Sequence, residues 1–334
     1  MKKVAILLLF VFVILAVVVS AYFFINRRHT ISTPKQKITV AWTNQPYLVL
    51  MYVAAQKGYF ADEGLDVTYK NFPSGRDALD DVVAGNADVA TVGEAPVVRK
   101  IYEGYDVDVL SILYSSTKNT ALVARRDRGI AKIEDIKGKK IAVFKNSTSE
   151  FFLFSYLASQ GIQLSQVTIV DALEKDMPSM LETGKVDAVA LINPYLFQIK
   201  KDFKPDAISV FESDIYTNTS VLAGMSQKVV QNKETFVKLL RALKRAQSLY
   251  ETDREESIKQ VLLALPENSE ETVLGSFKDF TPGLGLNNVL LTVLTREAAW
   301  FYKNGVYTST APDFRGHLFS SYLKEVDPGT VTLF

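Results

Sequence analysis

The stretch Gly85-Asn86-Ala87-Asp88-Val89-Ala90-Thr91-Val92-Gly93-Glu94-Ala95-Pro96 has an echo 99 residues later, Gly184-Lys185-Val186-Asp187-Ala188-Val189-Ala190-Leu191-Ile192-Asn193-Pro194-Tyr195. In each copy a helix-ending glycine is followed three residues on by Asp, then by a short apolar run. A polar residue with proline beside it closes the copy, where a new helix starts. A short buried strand feeding a helix N-terminus is the place where open α/β sheets bind ligands. Its doubling predicts two similar lobes, each pointing a helix start at a shared cleft.

A chain of 334 residues has room for two α/β domains, and 48% hydrophobic residues are enough to fill a real core. The net charge of +1 hides an uneven split. Lys2, Lys3, Arg27 and Arg28 stand in the first 28 residues with no acid, so the remainder is net acidic. With no basic run interleaved with aromatics, the chain is not expected to bind nucleic acid. There are no cysteines, which excludes disulfides, Cys-ligated metals, a Cys nucleophile and an N-terminal lipid-modified Cys. The two histidines, His29 and His317, lie near opposite ends, which argues against a His metal cluster or a two-His catalytic pair. No catalytic residue, metal ligand or cofactor is therefore expected.

Met1-Lys2-Lys3 precedes an apolar run from Val4 to Ile25, closed by Asn26-Arg27-Arg28. As a helix this run spans about 33 Å, a match to a bilayer core of about 30 Å. Val19-Ser20-Ala21 has the small residues of a signal-peptidase site. Tyr22-Phe23-Phe24-Ile25 carries the apolar run past it, which favours an uncleaved anchor. Arg27 and Arg28 on the exported side go against the charge rule. The expected location is the outer face of the cytoplasmic membrane, anchored through residues 4–25, or the periplasm or medium if the leader is cleaved.

Residues 30–37 read as a polar tether. From Ile38 onward strands alternate with helices, the pattern of βαβ units. Strands are expected at Ile38–Trp42, Leu65–Tyr69, Asp88–Val92 and Asp108–Tyr114, and again at Lys140–Phe144, Val167–Val170, Ala188–Ile192 and Ile208–Phe211. Ser74 with Asp77 three residues on predicts a helix N-terminus, and Asn268 with Glu271 another. After Met225 the chain turns helical. Phe236, Leu239, Leu240, Leu243, Leu249 and Tyr250 recur at helical spacing and predict one apolar face. Pro282-Gly283-Leu284-Gly285 precedes no strand–helix unit, so it reads as a turn rather than a phosphate loop.

The run Lys57-Gly58-Tyr59-Phe60-Ala61-Asp62-Glu63-Gly64-Leu65-Asp66-Val67 resembles a signature of the solute-binding proteins of ABC transporters. The branch it resembles takes up nitrate, sulfonates and taurine, and includes the similar thiamine-pyrimidine-precursor binders. Gly85–Pro96 and Asp187–Tyr195 fit the same pattern, and the resemblance covers about 38–305. It implies an α/β periplasmic-binding-protein-like fold of type II: two βαβ lobes with mostly parallel sheets, joined by two crossing segments. Residues 38–117 with 225–334 would form lobe 1 and 125–217 lobe 2, with the hinge near 118–124 and 218–224. It also implies a monomer that closes on a small-molecule ligand and delivers it to an ABC permease and its ATPase. Two features depart from the family: the lipid-modified Cys of most Gram-positive members, and the cysteine-rich motif of the enzymes related to the pyrimidine binders. Neither exists here.

The resemblance places the ligand shell at strand ends facing the cleft. In lobe 1 these are Asn44, Gln45 and Tyr47, then Ser74 and Gly75, then Gly93, Glu94 and Ala95, then Ser115 and Ser116. In lobe 2 they are Asn146, Ser147, Thr148, Ser149 and Glu150, then Asn193 and Tyr195. Asn218 and Thr219 lie where the chain returns.

Helix starts at Gly93-Glu94-Ala95 and Ser147-Thr148-Ser149 offer unpaired N–H groups and a positive dipole end, suited to an anionic or polar group. Ser and Thr at such places also simply cap their own helix. Glu94 and Glu150 in the cleft would favour a ligand with a cationic or hydrogen-bond-donating end, such as an amino-sulfonate or an aminopyrimidine. Each can equally satisfy its own helix dipole. Tyr195 is a candidate ring against the ligand; Trp42, inside a strand, reads as core. The function expected is extracytoplasmic solute binding, not catalysis. The alternatives are an enzyme of the pyrimidine-precursor-synthase type on the same fold, or a sensing ectodomain that acts with a partner.

Overall fold

A computed structural model describes residues 34–213, 216–278 and 280–334. The apolar run at 4–25, expected to be an anchor or signal, lies outside them. The described body is Gln36–Phe334. It opens with β1 (Gln36–Thr43), α1 (Val49–Gln56), α2 (Tyr59–Asp62) and β2 (Leu65–Phe72). Next come α3 (Gly75–Val83), β3 (Val89–Gly93), α4 (Glu94–Tyr102) and β4 (Val107–Ser116). α1 buries every residue from Val49 to Ala54, because later helices cover the side turned away from the sheet. Gly58 ends it at φ 73, a left-handed position that costs glycine nothing. Ser74 caps α3 as its spacing predicts: its hydroxyl accepts the Asp77 N–H at 3.1 Å and donates to the Asp77 carboxylate at 2.8 Å.

The chain then crosses to a second sheet with β5 (Thr120–Arg125), β6 (Lys140–Val143), α5 (Thr148–Ser159) and β7 (Thr168–Asp171). α6 (Met177–Glu182), β8 (Ala188–Ile192), α7 (Tyr195–Asp202) and β9 (Ile208–Glu212) complete it. The return strand β10 (Asn218–Met225) re-enters the first sheet, followed by α8 (Ser226–Gln231), α9 (Lys233–Thr252), α10 (Arg254–Ala264) and α11 (Glu270–Phe277). β11 (Thr281–Asn287), α12 (Asn288–Lys303), α13 (Ser321–Val326) and β12 (Val331–Thr332) end the fold. α9 turns Phe236, Leu239, Leu240 and Leu243 inward, as their spacing predicts, and packs on α1 and α13.

The seven-stranded sheet has the order β12-β11-β4-β10-β3-β1-β2, and the five-stranded sheet β7-β6-β8-β5-β9. Both are mixed, which corrects the expectation of mostly parallel sheets. The βαβ units build parallel centres, β2-β1-β3 in one lobe and β7-β6-β8 in the other. The strands that carry the chain between lobes insert antiparallel: β10 against β3 and β4, and β5 against β8 and β9. Two further expectations change. Ser269, not Asn268, caps α11, accepting the Thr272 N–H at 3.2 Å. Pro282-Gly283-Leu284-Gly285 is part of strand β11, not a turn. A register shift between Pro282 and Gly285 accommodates the proline's missing donor. Gly285 N–H then donates to Ser111 Oγ at 3.1 Å and Leu284 N–H to Gln247 Oε1 at 3.0 Å.

The doubled motif is a matched pair of clasps. Asp88 Oδ2 accepts the N–H of Thr39 at 2.8 Å, and Asp187 Oδ2 accepts that of Lys140 at 2.8 Å. Each Asp returns its own N–H to the carbonyl of the same residue at 2.9 Å. Gly85 at φ 80 and Gly184 at φ 71 end the preceding helices in left-handed geometry. In each lobe the clasp therefore locks the helix-to-strand turn onto the first strand of the parallel unit. That fixes where the apolar run ends and where the next helix points.

Candidate functional site

Three helix starts converge between the sheets. Ser74 is the N-cap of α3, Gly93 of α4 and Ser147 of α5. Asn146 takes φ 59, left-handed backbone that asparagine tolerates, and so swings Ser147 into its cap position. Ser147 Oγ donates to the Phe144 carbonyl at 2.6 Å and accepts the Glu150 N–H at 3.4 Å. Gly93 has no side chain to cap α4, and that helix start lines the cavity through Gly93 and Pro96. Its missing Cβ is also what lets the lobes touch: a Cβ there would lie 2.3 Å from Thr148 Oγ1. Gly75 is needed for a similar reason, since its Cβ would lie 3.0 Å from Val92 Cα.

Further contacts hold the two walls together. Arg76 Nη1 donates across the cleft to the Lys145 carbonyl at 2.8 Å, and its guanidinium lies 4.0 Å over the Phe144 ring. Arg99 of α4 pairs with Glu150 of α5 at 2.6 Å, both largely buried. The cleft is therefore closed. It leaves an inner cavity of about 60 Å³, room for about five waters or one small polar head group. An outer chamber of about 450 Å³ shares Gln45, Ser74, Phe144 and Glu174 with it and adds Asn44, Lys175 and Tyr195.

Of the residues expected at the site, the inner cavity gathers Gln45, Tyr47, Ser74, Gly75, Gly93, Ser147, Thr148, Ser149 and Asn218. Asn44 and Tyr195 line the outer chamber. The others line neither. Ala95 is buried behind the α4 start. Ser115, Ser116 and Thr219 belong to the ladder between β4 and β10 that forms the crossing. Asn193 turns its Oδ1 to the Phe197 N–H at 3.0 Å, which makes it a cap for α7.

Glu94 and Glu150, the carboxylates expected in the cleft, line neither chamber. Glu94 is fully buried, and its Oε2 accepts the Thr219 N–H at 2.8 Å. Its carboxyl meets that of Glu297 in α12, and burial pushes its pKa up to about 8. Glu150 reaches back to the Asn146 N–H at 3.0 Å, a helix-start cap, and spends its charge on Arg99. Burial raises its pKa and Arg99 pulls it partway back.

Reasoning from sequence missed the charged residues of the cavity and Thr91, though not Gln45. Arg76 follows directly on Ser74-Gly75 and is the cation of the inner cavity. Glu174 stands just past the end of β7 and is the cavity's acid among the described residues. The rule that strand ends face the ligand applies to β7 as well and would have found it. Ser149 Oγ donates to Glu174 Oε1, and burial raises the Glu174 pKa to about 7. Thr91 Oγ1 and Gln45 Oε1 are buried on the cavity wall without a partner among the described residues. A wall with orphaned polar atoms is built for a polar occupant, since leaving them unmade costs about 1–3 kcal/mol each. Asp106, Asp108 and His317 bring ligand atoms within 4.8 Å of one another, but at the end of β4 remote from the cleft.

Residues 45–256 match the NMT1/THI5 like family model. The putative aliphatic sulfonates-binding protein of Bacillus subtilis is 31% identical over 46% of this chain and 47% of its own. The taurine-binding periplasmic protein of Escherichia coli is 28% identical over 46% of this chain and 47% of its own. The matched stretch thus spans about half the length of these relatives. Among solved structures, the alkanesulfonate-binding protein SsuA of Xanthomonas axonopodis pv. citri, bound to MOPS, superposes with a TM-score of 0.74. That match covers 86% of this chain and all of the other at 17% identity, a likeness of fold. Two lobes of mixed sheet, a closed cleft between them and a family match over more than half the chain lead to one conclusion: the chain belongs to the NMT1/THI5-like family and has the periplasmic-binding-protein fold.

Proposed function

We propose that this protein is the solute-binding component of an ABC importer and closes on a small organic oxyanion of the sulfonate type. The observation that carries the reading is the inner cavity: three helix N-termini, the Arg76 guanidinium and a ring of Ser and Thr hydroxyls face one volume of about 60 Å³. The positive dipole ends of the helices and the guanidinium stabilise an anion, and a closed pocket strengthens each such contact. The kinship with proteins named for aliphatic sulfonates and taurine supports the same chemistry.

Closure follows from where the contacts lie. The ligand's head would bridge α3 and α4 on one lobe and α5 on the other, and Arg99–Glu150 forms only when the lobes meet. A ligand that touches both walls favours the closed state by its differential contacts, and this state is what a membrane permease and its ATPase would receive at the outer face of the membrane. The test is calorimetry on the full-length protein in mild detergent against ethanesulfonate, taurine, nitrate and an aminopyrimidine. Micromolar or tighter binding of a sulfonate is expected. Binding of the aminopyrimidine alone, or turnover of any compound, would overturn the reading.

A further inference from the structure

Helix α12 carries two apolar faces, and the core uses one of them. Leu290, Leu294, Ala298 and Phe301 are fully buried. Val289, Val293 and Trp300 recur at helical spacing on another face of the same helix, and Val289 is 58% exposed there. This second face forms one wall of a cavity of about 460 Å³, within the usual range for small-molecule sites. Phe151 and Ser155 of α5 form the opposite wall, and Tyr216, just before β10, lines it too. α12 packs in the lobe of the seven-stranded sheet and α5 in the other, so an occupant touches both lobes. None of these residues lines the inner cavity or the outer chamber of the cleft.

The walls are braced rather than collapsed onto one another. Phe151 stands edge-on to Trp300 at 5.8 Å and to Tyr216 at 5.3 Å between ring centroids. Two polar groups in this apolar surround have no partner. Ser155 Oγ is buried and makes no hydrogen bond among the described residues. Arg296, one turn on from Val293, lines the same cavity, and its guanidinium has neither an ion pair nor a hydrogen bond among the described residues. No carboxylate among the described residues lines the cavity. Glu297, the neighbouring acid on α12, is fully buried and turned to Glu94 instead. Aromatic walls suit a flat ring, an orphaned hydroxyl suits an acceptor, and an unpaired guanidinium suits a carboxylate or sulfonate.

We infer that this cavity is a second ligand site, separate from the cleft, which takes a small aromatic monoanion and bridges the two lobes. The ring would lie between the α12 face and Phe151. Arg296 would take the anionic group, and Ser155 would donate to an oxygen of the ligand. The inference does not depend on what the cleft binds.

The experiment is calorimetry on the full-length protein in mild detergent, with 2-naphthoate and its neutral isostere 2-naphthamide as probes. 2-Naphthoate is expected to bind with a Kd of about 100 µM. 2-Naphthamide should bind about tenfold more weakly, the difference that one charge-assisted hydrogen bond makes. In Arg296→Gln the two probes converge, because 2-naphthoate weakens and 2-naphthamide does not change. Arg296 holds nothing in the fold, so the variant keeps its melting temperature. Val293→Glu on α12 and Ser155→Asp on α5 each bring a negative charge to the cavity, from opposite walls, and should weaken 2-naphthoate tenfold or more. Arg76→Gln, in the cleft, should leave it unchanged. Weaker 2-naphthoate binding in R76Q with none in R296Q would mean that the probe occupies the cleft, and the inference falls. It falls as well if the wild type binds 2-naphthoate no better than 2-naphthamide, or binds neither at millimolar concentration. Binding that survives every variant unchanged is adsorption to the detergent or the surface, and overturns it too. Should V293E or S155D fail to fold, R296Q and R76Q decide.

Discussion

The Glu94–Glu297 pair makes stability depend on pH in the direction opposite to that of an ordinary salt-bridged carboxylate. Both side chains are fully buried. Tyr216 donates to Glu297 Oε1 at 3.1 Å and the Thr219 N–H to Glu94 Oε2 at 2.8 Å, so the pair grips the chain where it crosses into β10. Burial raises the Glu94 pKa to about 8 and the Glu297 pKa well above the ordinary carboxylate value, the latter further because Glu94 lies against it. Arg99 opposes this only in part. In the unfolded chain both carboxyls titrate near 4.5. Above that pH the folded state holds protons that the unfolded state has lost. Stability is therefore full below about pH 4.5 and falls as pH rises towards 8, by about 1.4 kcal/mol per pH unit for each proton held. From about pH 5.5 to 7.5 one such proton costs about 3 kcal/mol, a large part of a typical 5–15 kcal/mol. Glu297→Gln keeps a donor for Glu94 and an acceptor for Tyr216 but removes one titration. Urea unfolding across this range should show the wild type losing stability faster than the variant, with E297Q overtaking it near the top. Glu174, also raised, contributes the same sign to both proteins and cancels in the difference. Parallel pH profiles for wild type and E297Q would refute the argument.

Further substitutions probe closure and frame. Gly93→Ala puts a methyl group 2.3 Å from Thr148 Oγ1, so sulfonate affinity should fall tenfold or more while the ligand-free melting temperature hardly moves; G93A with Thr148→Ala should recover much of the loss. Glu150→Gln leaves Arg99 buried without its partner, a break that costs about 3–5 kcal/mol in a buried pair. Because that pair bridges the lobes, small-angle scattering should find the ligand-bound variant more open, and calorimetry should find weaker binding. Asp88→Ala and Asp187→Ala should each lower unfolding free energy by about 1–3 kcal/mol, and by similar amounts, because each removes the same N–H acceptor from a parallel unit. A large asymmetry between the two in urea unfolding would contradict the matched-clasp account.

The architecture was legible because its signals are local. A Gly that must be left-handed, an Asp three residues on and an apolar run of five fix a helix end, a turn and a buried strand within a dozen positions, and the Ser74–Asp77 cap does the same within four. The mixed sheets were not legible in that way. Antiparallel insertion of β10 and β5 depends on which strands the crossing segments find on their return, and no local pattern states it. Pro282-Gly283-Leu284-Gly285 failed for a related reason: turn chemistry is overridden where Ser111 and Gln247 wait with acceptors. Glu94 shows the limit most clearly. Its position at a helix start was read correctly, but its direction is set by Glu297 in α12, and sequence distance hides that partner.

The two halves of the doubled motif thus do different work. The Gly and Asp positions are interchangeable between lobes, since they fasten the same turn to the same kind of strand. The residues just beyond them are not: one copy leads to a bare glycine start, the other to an asparagine that caps its own helix. Glu174 and the orphaned atoms of Thr91 and Gln45 line the cavity without taking part in either clasp. A fold built so can exchange a cavity-wall side chain while every clasp stays in place. For that reason an exchange of cavity-wall side chains, rather than any shift of backbone, is where a change of ligand would be sought.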